Sequence, residues 1–210
     1  MKFHNGCWLF KEGIECFSPQ HVYEVRRGEK EVVLCAPTNR INHKGDTLGG
    51  INLTVKITAP MPEVIRVQTY HHMGVQAKAP EFELELPNEG ALDVEEDGDL
   101  LTVKSGHLRL VINKENWSMR YERDGELLTK SGWRDLSYLK EDWKGFAYDR
   151  GTNAYMRQQL GLSVDELIYG LGERFAPLVR NGQSVEIWNE DGGTSTDQSY
   201  KNIPFYLSNR

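Results

Sequence analysis

The stretch LDVEEDGDLLTVKSGHLRLVINKENWSMRYERDGELLT, residues 92–129, decides the fold. It holds two Asp-Gly pairs, Asp97-Gly98 and Asp124-Gly125, each between β-prone runs. An Asp-Gly pair so placed is the strongest short-range signal for a two-residue type I′ hairpin, because both central residues then need φ above zero. Residues 92–96 and 99–103 are therefore predicted to form one hairpin, and residues 117–123 and 126–129 a second. Between them Leu108, Leu110 and Ile112 recur with period two and share one face of a strand.

Working outward, the same period continues upstream. Leu53, Val55 and Ile57 alternate with Thr54, Lys56 and Thr58, and Ile65 and Val67 alternate with Arg66 and Gln68. Ala59-Pro60-Met61-Pro62 between these runs excludes a helix and makes a stiff turn. Residues 82–86 alternate in the same way. Nearer the start, residues 21–26 and 31–35 predict a hairpin joined through residues 27–30, where Gly28 can supply positive φ. Residues 39–50 are polar and glycine-bearing and read as a loop.

Downstream, Trp133, Leu136, Leu139 and Trp143 stand near helical spacing, but Gly132 and Gly145 bracket them and no capping box opens the segment. A short helix or an irregular excursion is expected there. Residues 149–153 offer the best candidate boundary and read as a loop within one domain. About ten to thirteen strands result, at the spacing of all-β domains. The expected fold is all-β, an antiparallel β-sandwich with few short helices, as a single domain over residues 1–210.

Composition narrows the function classes. The chain has 210 residues, 27% charged and 39% hydrophobic, which suits a soluble globular domain with a sizeable core. Its formal net charge of −6 disfavours nucleic acid and anionic membrane as partners. Cys7, Cys16 and Cys35 are too few and odd in number for a disulfide framework, and their spacing matches no zinc pattern. A reducing compartment follows. With no signal-peptide core in the first residues and no long apolar run, the expected location is the cytoplasm.

Candidate chemistry is sparse over most of the chain. Gly170-Leu171-Gly172 opens like a dinucleotide fingerprint, but Phe175 stands where the third glycine is needed and no helical pattern follows. No cofactor is expected. His71 and His72 are neighbours on a strand and point to opposite faces, which argues against a shared metal ion. Ser195 and Cys35 lack the context of an activated nucleophile. Among 31 acidic residues pairs arise by chance, and one loop is poorly placed to aim both Glu190 and Asp191 at a single anomeric carbon. Glu173 is expected to pair with a nearby arginine, Arg174 or Arg180. Trp8, Trp117, Trp133 and Trp143 are expected in the core or at its rim rather than as sugar platforms.

The stretch LIYGLGERFAPLVRNGQSVEIWNEDGGTSTDQSYKNIPFY, residues 167–206, differs from all of this. It packs short apolar pieces around a polar loop holding Trp188, Asn189, Glu190, Asp191, Gly192 and Gly193 in a row. Glycine lets a backbone approach a ligand closely, and Asp and Asn suit hydroxyl groups, so the loop fits sugar recognition. The same composition also describes a turn-dense surface connection with Trp188 as a local anchor. The segments Tyr169 to Phe175, Leu178 to Gln183, Trp188 to Thr196 and Tyr200 to Tyr206 resemble the end of the N-terminal domain of glycoside hydrolase family 31, above all its bacterial α-xylosidases. Weaker likeness runs back to Met1 through Asn5-Gly6, Trp8-Leu9, residues 22–25 and residues 104–108.

That resemblance implies a galactose mutarotase-like β-sandwich followed by a (β/α)₈ barrel. Both catalytic aspartates of the family lie in the barrel, so no catalytic residue is expected within these 210 residues. What the resemblance assigns to this chain is substrate binding: Asp191 contacts hydroxyls of the sugar in the leaving-group subsite, while Asn189 and Trp188 shape the loop. Glu190 departs from the relatives, where a basic residue is common. The implied partners are an oligosaccharide substrate, the chain's own C-terminal barrel and, as relatives associate, a homo-oligomer. An exposed apolar patch is expected where the barrel would pack. A free-standing carbohydrate-binding module and a mutarotase-like sugar epimerase are the competing readings.

Overall fold

In this computed structural model, residues 3–5, 9–73, 90–143, 151–188 and 201–210 are described. They fall into two compact units, Phe3–Gly161 and Leu162–Arg210. In chain order the first unit contains β1 (Ile14–Phe17), β2 (Glu24–Arg27), β3 (Glu31–Pro37), β4 (Asn52–Thr58), β5 (Arg66–Tyr70) and β6 (Asp93–Asp97). It continues with β7 (Leu100–Ser105), β8 (Leu108–Asn113), β9 (Ser118–Arg123), β10 (Glu126–Ser131), β11 (Leu136–Trp143) and β12 (Gly151–Gln158). The second unit adds β13 (Ile168–Gly170) and β14 (Tyr206–Ser208). Among the described residues there are fourteen strands against the expected ten to thirteen, the last two being only three residues long. The expected strand at residues 82–86 lies outside the described residues.

Among the described residues all strand pairing is antiparallel. One sheet has the order β2-β3-β4-β5, a second β10-β9-β8-β7-β6, and a third β1-β11-β12. The inward faces of the first two meet in one core. Val32, Leu34 and Ala36 from β3 and Leu53, Val55 and Ile57 from β4 lie against Leu101, Val103, Leu110, Ile112 and Met119 of the other sheet. Each is 1% exposed or less, as the period-two pattern requires, and burying each larger side chain contributes roughly 1.5–3 kcal/mol. Trp117 closes this core from the β8–β9 turn at 0% exposure. The result is the expected all-β sandwich.

The Asp-Gly hairpins divide. Asp124 and Gly125 form a two-residue loop at φ 49° and 88°, the pair of left-handed residues that a type I′ turn needs. At the other, Asp97 pairs with Leu100, so the loop is Gly98-Asp99, shifted by one residue. Only Gly98 is left-handed, at φ 54°, the φ pattern of a type II′ turn. The β2–β3 hairpin forms as expected, with Arg27 opposite Val32, but Gly28 does not take a left-handed φ there. Ala59 to Pro62 turns as expected. Residues 39–50 include a short 3₁₀ turn, Lys44–Leu48, capped by His43, whose side chain accepts from the backbone N–H of Gly45.

Two expectations are corrected. Residues 136–143 are a strand, not a helix. As the central strand of its sheet, β11 is buried on both sides: Leu136 is 1% exposed, and Ser137 and Leu139 are both 0%. A strand covered on both faces has no need to alternate, which is how apolar residues came to stand near helical spacing. Gly151 to Asn153 likewise belong to β12, opposite Trp143 to Glu141, rather than to a loop. Trp117 is a core residue as expected, whereas Trp133 is 57% exposed at the β10–β11 turn with the Arg134 guanidinium stacked 4.0 Å from its ring. Trp8 and the side chain of Trp143 lie outside the described residues.

Three turns meet at one place on the sandwich. His107 Nδ1 lies 2.7 Å from Asp124 Oδ1, and its backbone N–H donates to Glu63 Oε1 at 3.0 Å. The Asp124 and Glu63 carboxylates hold the His107 pKa above its ordinary value. Among the described residues, no helix is long and apolar enough to cross a membrane.

Candidate functional site

The stretch of residues 167–206 falls within the second unit. Its base is the pairing of β13 with β14, Ile168 opposite Ser208 and Gly170 opposite Tyr206, extended by a bridge between Glu173 and Lys201. Here the two glycines are structural. Gly170 has φ 100° and Gly172 φ 93°, with Leu171 also left-handed at 67°. A Cβ on Gly170 would stand 2.7 Å from the carbonyl oxygen of Phe205, and one on Gly172 only 2.1 Å from that of Lys201. The Gly-Leu-Gly sequence thus serves the close crossing of two backbones.

Polar side chains stitch this frame together. Arg180, 7% exposed, donates from Nε to the Gly170 carbonyl at 3.0 Å and from Nη1 to that of Pro177 at 2.8 Å. Asn181 accepts from the Ile168 N–H at 2.8 Å and donates to the Glu166 carbonyl at 2.9 Å. Glu166 is 8% exposed, and its Oε2 accepts from the Ser163 N–H at 2.7 Å. That backbone hydrogen bond, helped by the Ser208 hydroxyl and the Arg210 charge, holds the Glu166 carboxyl below its ordinary pKa. Arg174 donates to the carbonyls of Leu171 and Glu186 and to the Asn202 side chain. Glu173 does not take Arg174 or Arg180 as its partner, because both arginines are turned to carbonyl oxygens; it faces Lys201 at 3.9 Å instead.

Of the three expected binding residues, Trp188 is described and is 65% exposed, at the point where the frame passes into the loop. Asn189 and Asp191 lie outside the described residues, as do Glu190 and Ser195. The described residues of the unit also expose other large apolar side chains: Phe175 at 55%, Leu178 at 72%, Ile203 at 52%, Phe205 at 60% and Leu207 at 53%. Tyr206 is 46% exposed, so successive residues of β14 present apolar groups on both of its faces. Sequence reasoning assigned Arg174 only as an ion-pair candidate for Glu173 and did not single out Asn181. Their signal was available, since both fall in the segments that carry the family resemblance.

The candidates His71 and Cys35 belong to the first unit. Among the described residues no group of three His, Cys, Asp or Glu is placed to hold a metal ion. His71 stacks on Tyr138 at 4.9 Å, and its Nδ1 lies 3.0 Å from the Asn52 carbonyl. The Cys35 thiol donates to Asn52 Oδ1 at 3.0 Å, and burial pushes its pKa up, which keeps it protonated.

Comparison with known proteins converges on one family. The family model described as the glycosyl hydrolase 31 N-terminal galactose mutarotase-like domain matches residues 54–210. Alpha-xylosidase XylQ of Lactiplantibacillus pentosus is 38% identical over 210 residues, covering 99% of this chain and 26% of its own length. An alpha-xylosidase of Emericella nidulans is 37% identical over 223 residues, covering 99% of this chain and 28% of its own. The chain therefore spans about a quarter of the length of these curated relatives. Among solved structures, the cycloalternan-forming enzyme of Listeria monocytogenes with a pentasaccharide substrate has a TM-score of 0.62 at 18% identity, covering 93% of this chain and 17% of that one. A Flavobacterium johnsoniae GH31 dextranase complexed with glucose has 0.63 at 18%, covering 91% and 21%. At such identities these two structures establish the fold alone.

Proposed function

The chain belongs to the glycoside hydrolase family 31 N-terminal galactose mutarotase-like domains, and we propose that it is the N-terminal β-sandwich part of a cytoplasmic retaining α-glycosidase. Its substrates are terminal α-xylosyl residues of oligosaccharides in the first place, and α-glucosyl residues next. The observation that carries this reading is the identity to two α-xylosidases along 99% of this chain, against about a quarter of theirs. The exposed apolar side chains of the Leu162–Arg210 unit support it, since a catalytic barrel would cover such groups.

In this reading hydrolysis takes place on the barrel, where two carboxyl groups about 5–5.5 Å apart act as nucleophile and acid/base. This chain cleaves nothing alone. It contributes one wall of the site: the Asp191 carboxylate accepts hydrogen bonds from the sugar in the leaving-group subsite, and Asn189 and Trp188 set the loop's shape. Charge-assisted hydrogen bonds of this kind are worth roughly 1.5–3 kcal/mol. In the full-length enzyme, Asp191→Ala is expected to lower kcat/KM on a disaccharide by about 10–100-fold relative to an activated aryl α-xyloside. Equal losses on both substrates would contradict the assignment.

The exposure of Trp188 also favours a second reading, a free-standing carbohydrate-binding module. Calorimetric titration separates the two. Oligosaccharide binding by this chain alone, abolished by Trp188→Ala, supports the module; binding that needs the barrel supports the glycosidase.

A further inference from the structure

A crevice of about 210 Å³ lies between the loop of residues 39–51 and the adjoining ends of β3 and β4, where Pro37 stands opposite Asn52. It belongs wholly to the first unit. In a chain that is 27% charged, none of the described residues lining it carries a charge. Pro37, Ile41 and Ile51 give it apolar surface, and Asn39, Thr47 and Asn52 bring amides and a hydroxyl. Tyr23, 58% exposed, completes the lining together with Cys35 and Gly50.

Its polar groups are fixed in complementary senses. Cys35 Sγ donates to Oδ1 of Asn52 at 3.0 Å, which holds that amide one way round and leaves Nδ2 as a donor. Asn39 is held the other way, its Nδ2 donating to the Asp46 carbonyl at 2.6 Å and its Oδ1 left as an acceptor. Neither remaining atom has a partner among the described residues. Gly50 makes room for Asn39, since a Cβ there would overlap Asn39 Oδ1. Asp46 keeps the loop in shape by accepting from the backbone N–H groups of Asn42 and His43 at 2.8 and 3.0 Å. Thr47 Oγ1 donates to the Lys44 carbonyl at 2.7 Å, so towards a ligand it accepts.

We propose that this crevice is a binding site for one neutral sugar ring, a pyranose. An uncharged lining offers no counter-charge to a phosphate or carboxylate, and desolvating such a group there would go uncompensated. A neutral ring with hydroxyls suits it: the C–H groups meet the apolar side chains, and a hydroxyl, which both donates and accepts, matches the Asn52 donor and the Asn39 and Thr47 acceptors. The volume equals about seven waters at roughly 30 Å³ each and lies below the roughly 300–1,000 Å³ of sites for drug-sized ligands, so it holds one ring rather than an oligosaccharide. The proposal does not rest on the role given to Asp191.

Cys35 supplies the reporter, because a ring in the crevice covers its thiol. The test uses the full-length enzyme and methyl β-D-xyloside, which a retaining α-glycosidase leaves intact, and follows alkylation of Cys35 by iodoacetamide through peptide mass. At about 100 mM the xyloside is expected to slow Cys35 alkylation about fivefold or more, as for a dissociation constant of about 25 mM or less. In N52A and in G50A this protection should fall below about twofold, N52A losing the donor and G50A displacing the Asn39 amide. Each value is a ratio with and without sugar in the same variant, so a change in thiol reactivity cancels. Methyl β-D-glucuronide, the same kind of ring carrying a carboxylate, should protect less than about twofold. An unchanged alkylation rate in the wild type, undiminished protection in either variant, or equal protection by the glucuronide overturns the proposal. A second readout is independent of the thiol: amide hydrogen exchange of residues 39–51 should slow with the xyloside in the wild type and not in N52A. Exchange that ignores the sugar in the wild type would equally contradict the site.

Discussion

The two units are held together by opposite means. In Phe3–Gly161 the buried side chains are chiefly apolar, from Val32 on β3 to Leu139 on β11, while Leu162–Arg210 buries only Glu166 and Arg180 among its described residues. The second unit instead turns Phe175, Leu178, Trp188, Phe205 and Leu207 outward. Its order comes from side chains bonded to backbone, through Arg174, Arg180, Asn181 and Glu166. Net hydrogen bonds contribute about 0.5–1.5 kcal/mol each, less than a buried Leu, so such a frame is less stable by itself than the sandwich. A region that is stitched inside and apolar outside suits an element that completes its core on another domain.

This contrast can be broken most forcefully at Trp117. Trp117→Ala should cost the sandwich about 3 kcal/mol or more, read as a lower denaturant midpoint at unchanged m. A smaller effect would mean that the core is not the anchor of the first unit. Next in size, Arg180→Met strands the carbonyls of Gly170 and Pro177 and should cost about 1–3 kcal/mol, felt as faster hydrogen exchange within residues 162–210 while β3 and β4 stay protected. Global unfolding in place of this local effect would make the two units one cooperative body.

Smaller still, Phe205→Ser with Leu207→Ser should change the stability of the chain by no more than about 0.5 kcal/mol in denaturant unfolding, since both side chains are exposed; a larger loss would mean that they are packed within the unit. The smallest effect lies at His107, whose pKa is raised by Asp124 first and by Glu63 as well. A raised folded-state pKa stabilises fully below the ordinary value of 6.5, and that contribution is lost as pH rises through the folded value. Its imidazole should therefore titrate above 6.5 by NMR and move down in Asp124→Asn. An unmoved midpoint would show that Asp124 is not the cause.

How much of this was legible in the sequence differs between the units for the same reason. Where one face of a strand is buried, period two writes itself into the residues, as at Leu53, Val55 and Ile57, and Asp124-Gly125 announces its own turn. Legibility failed at β11, because burial on both faces removes the alternation, and at Asp97-Gly98, because one left-handed residue suffices for the turn that formed. In the second unit no periodic signal existed to read. Three-residue strands and side chain-to-backbone bonds leave no pattern, so composition marked only a loop suited to hydroxyl groups, and the separate roles expected of Trp188, Asn189 and Asp191 came from family resemblance. The positive φ of Gly170 and Gly172 was visible only as glycines without an evident purpose.

The proposal that the second unit completes itself on a catalytic domain is tested most directly by amide hydrogen exchange, comparing this chain alone with a longer chain that carries the proposed barrel. Protection of residues 162–188 and 201–210 is expected to rise at least tenfold when the barrel is present, by about 1.4 kcal/mol or more, while β3, β4, β7 and β8 exchange alike in both. Equal protection of the second unit with and without the barrel would contradict the account.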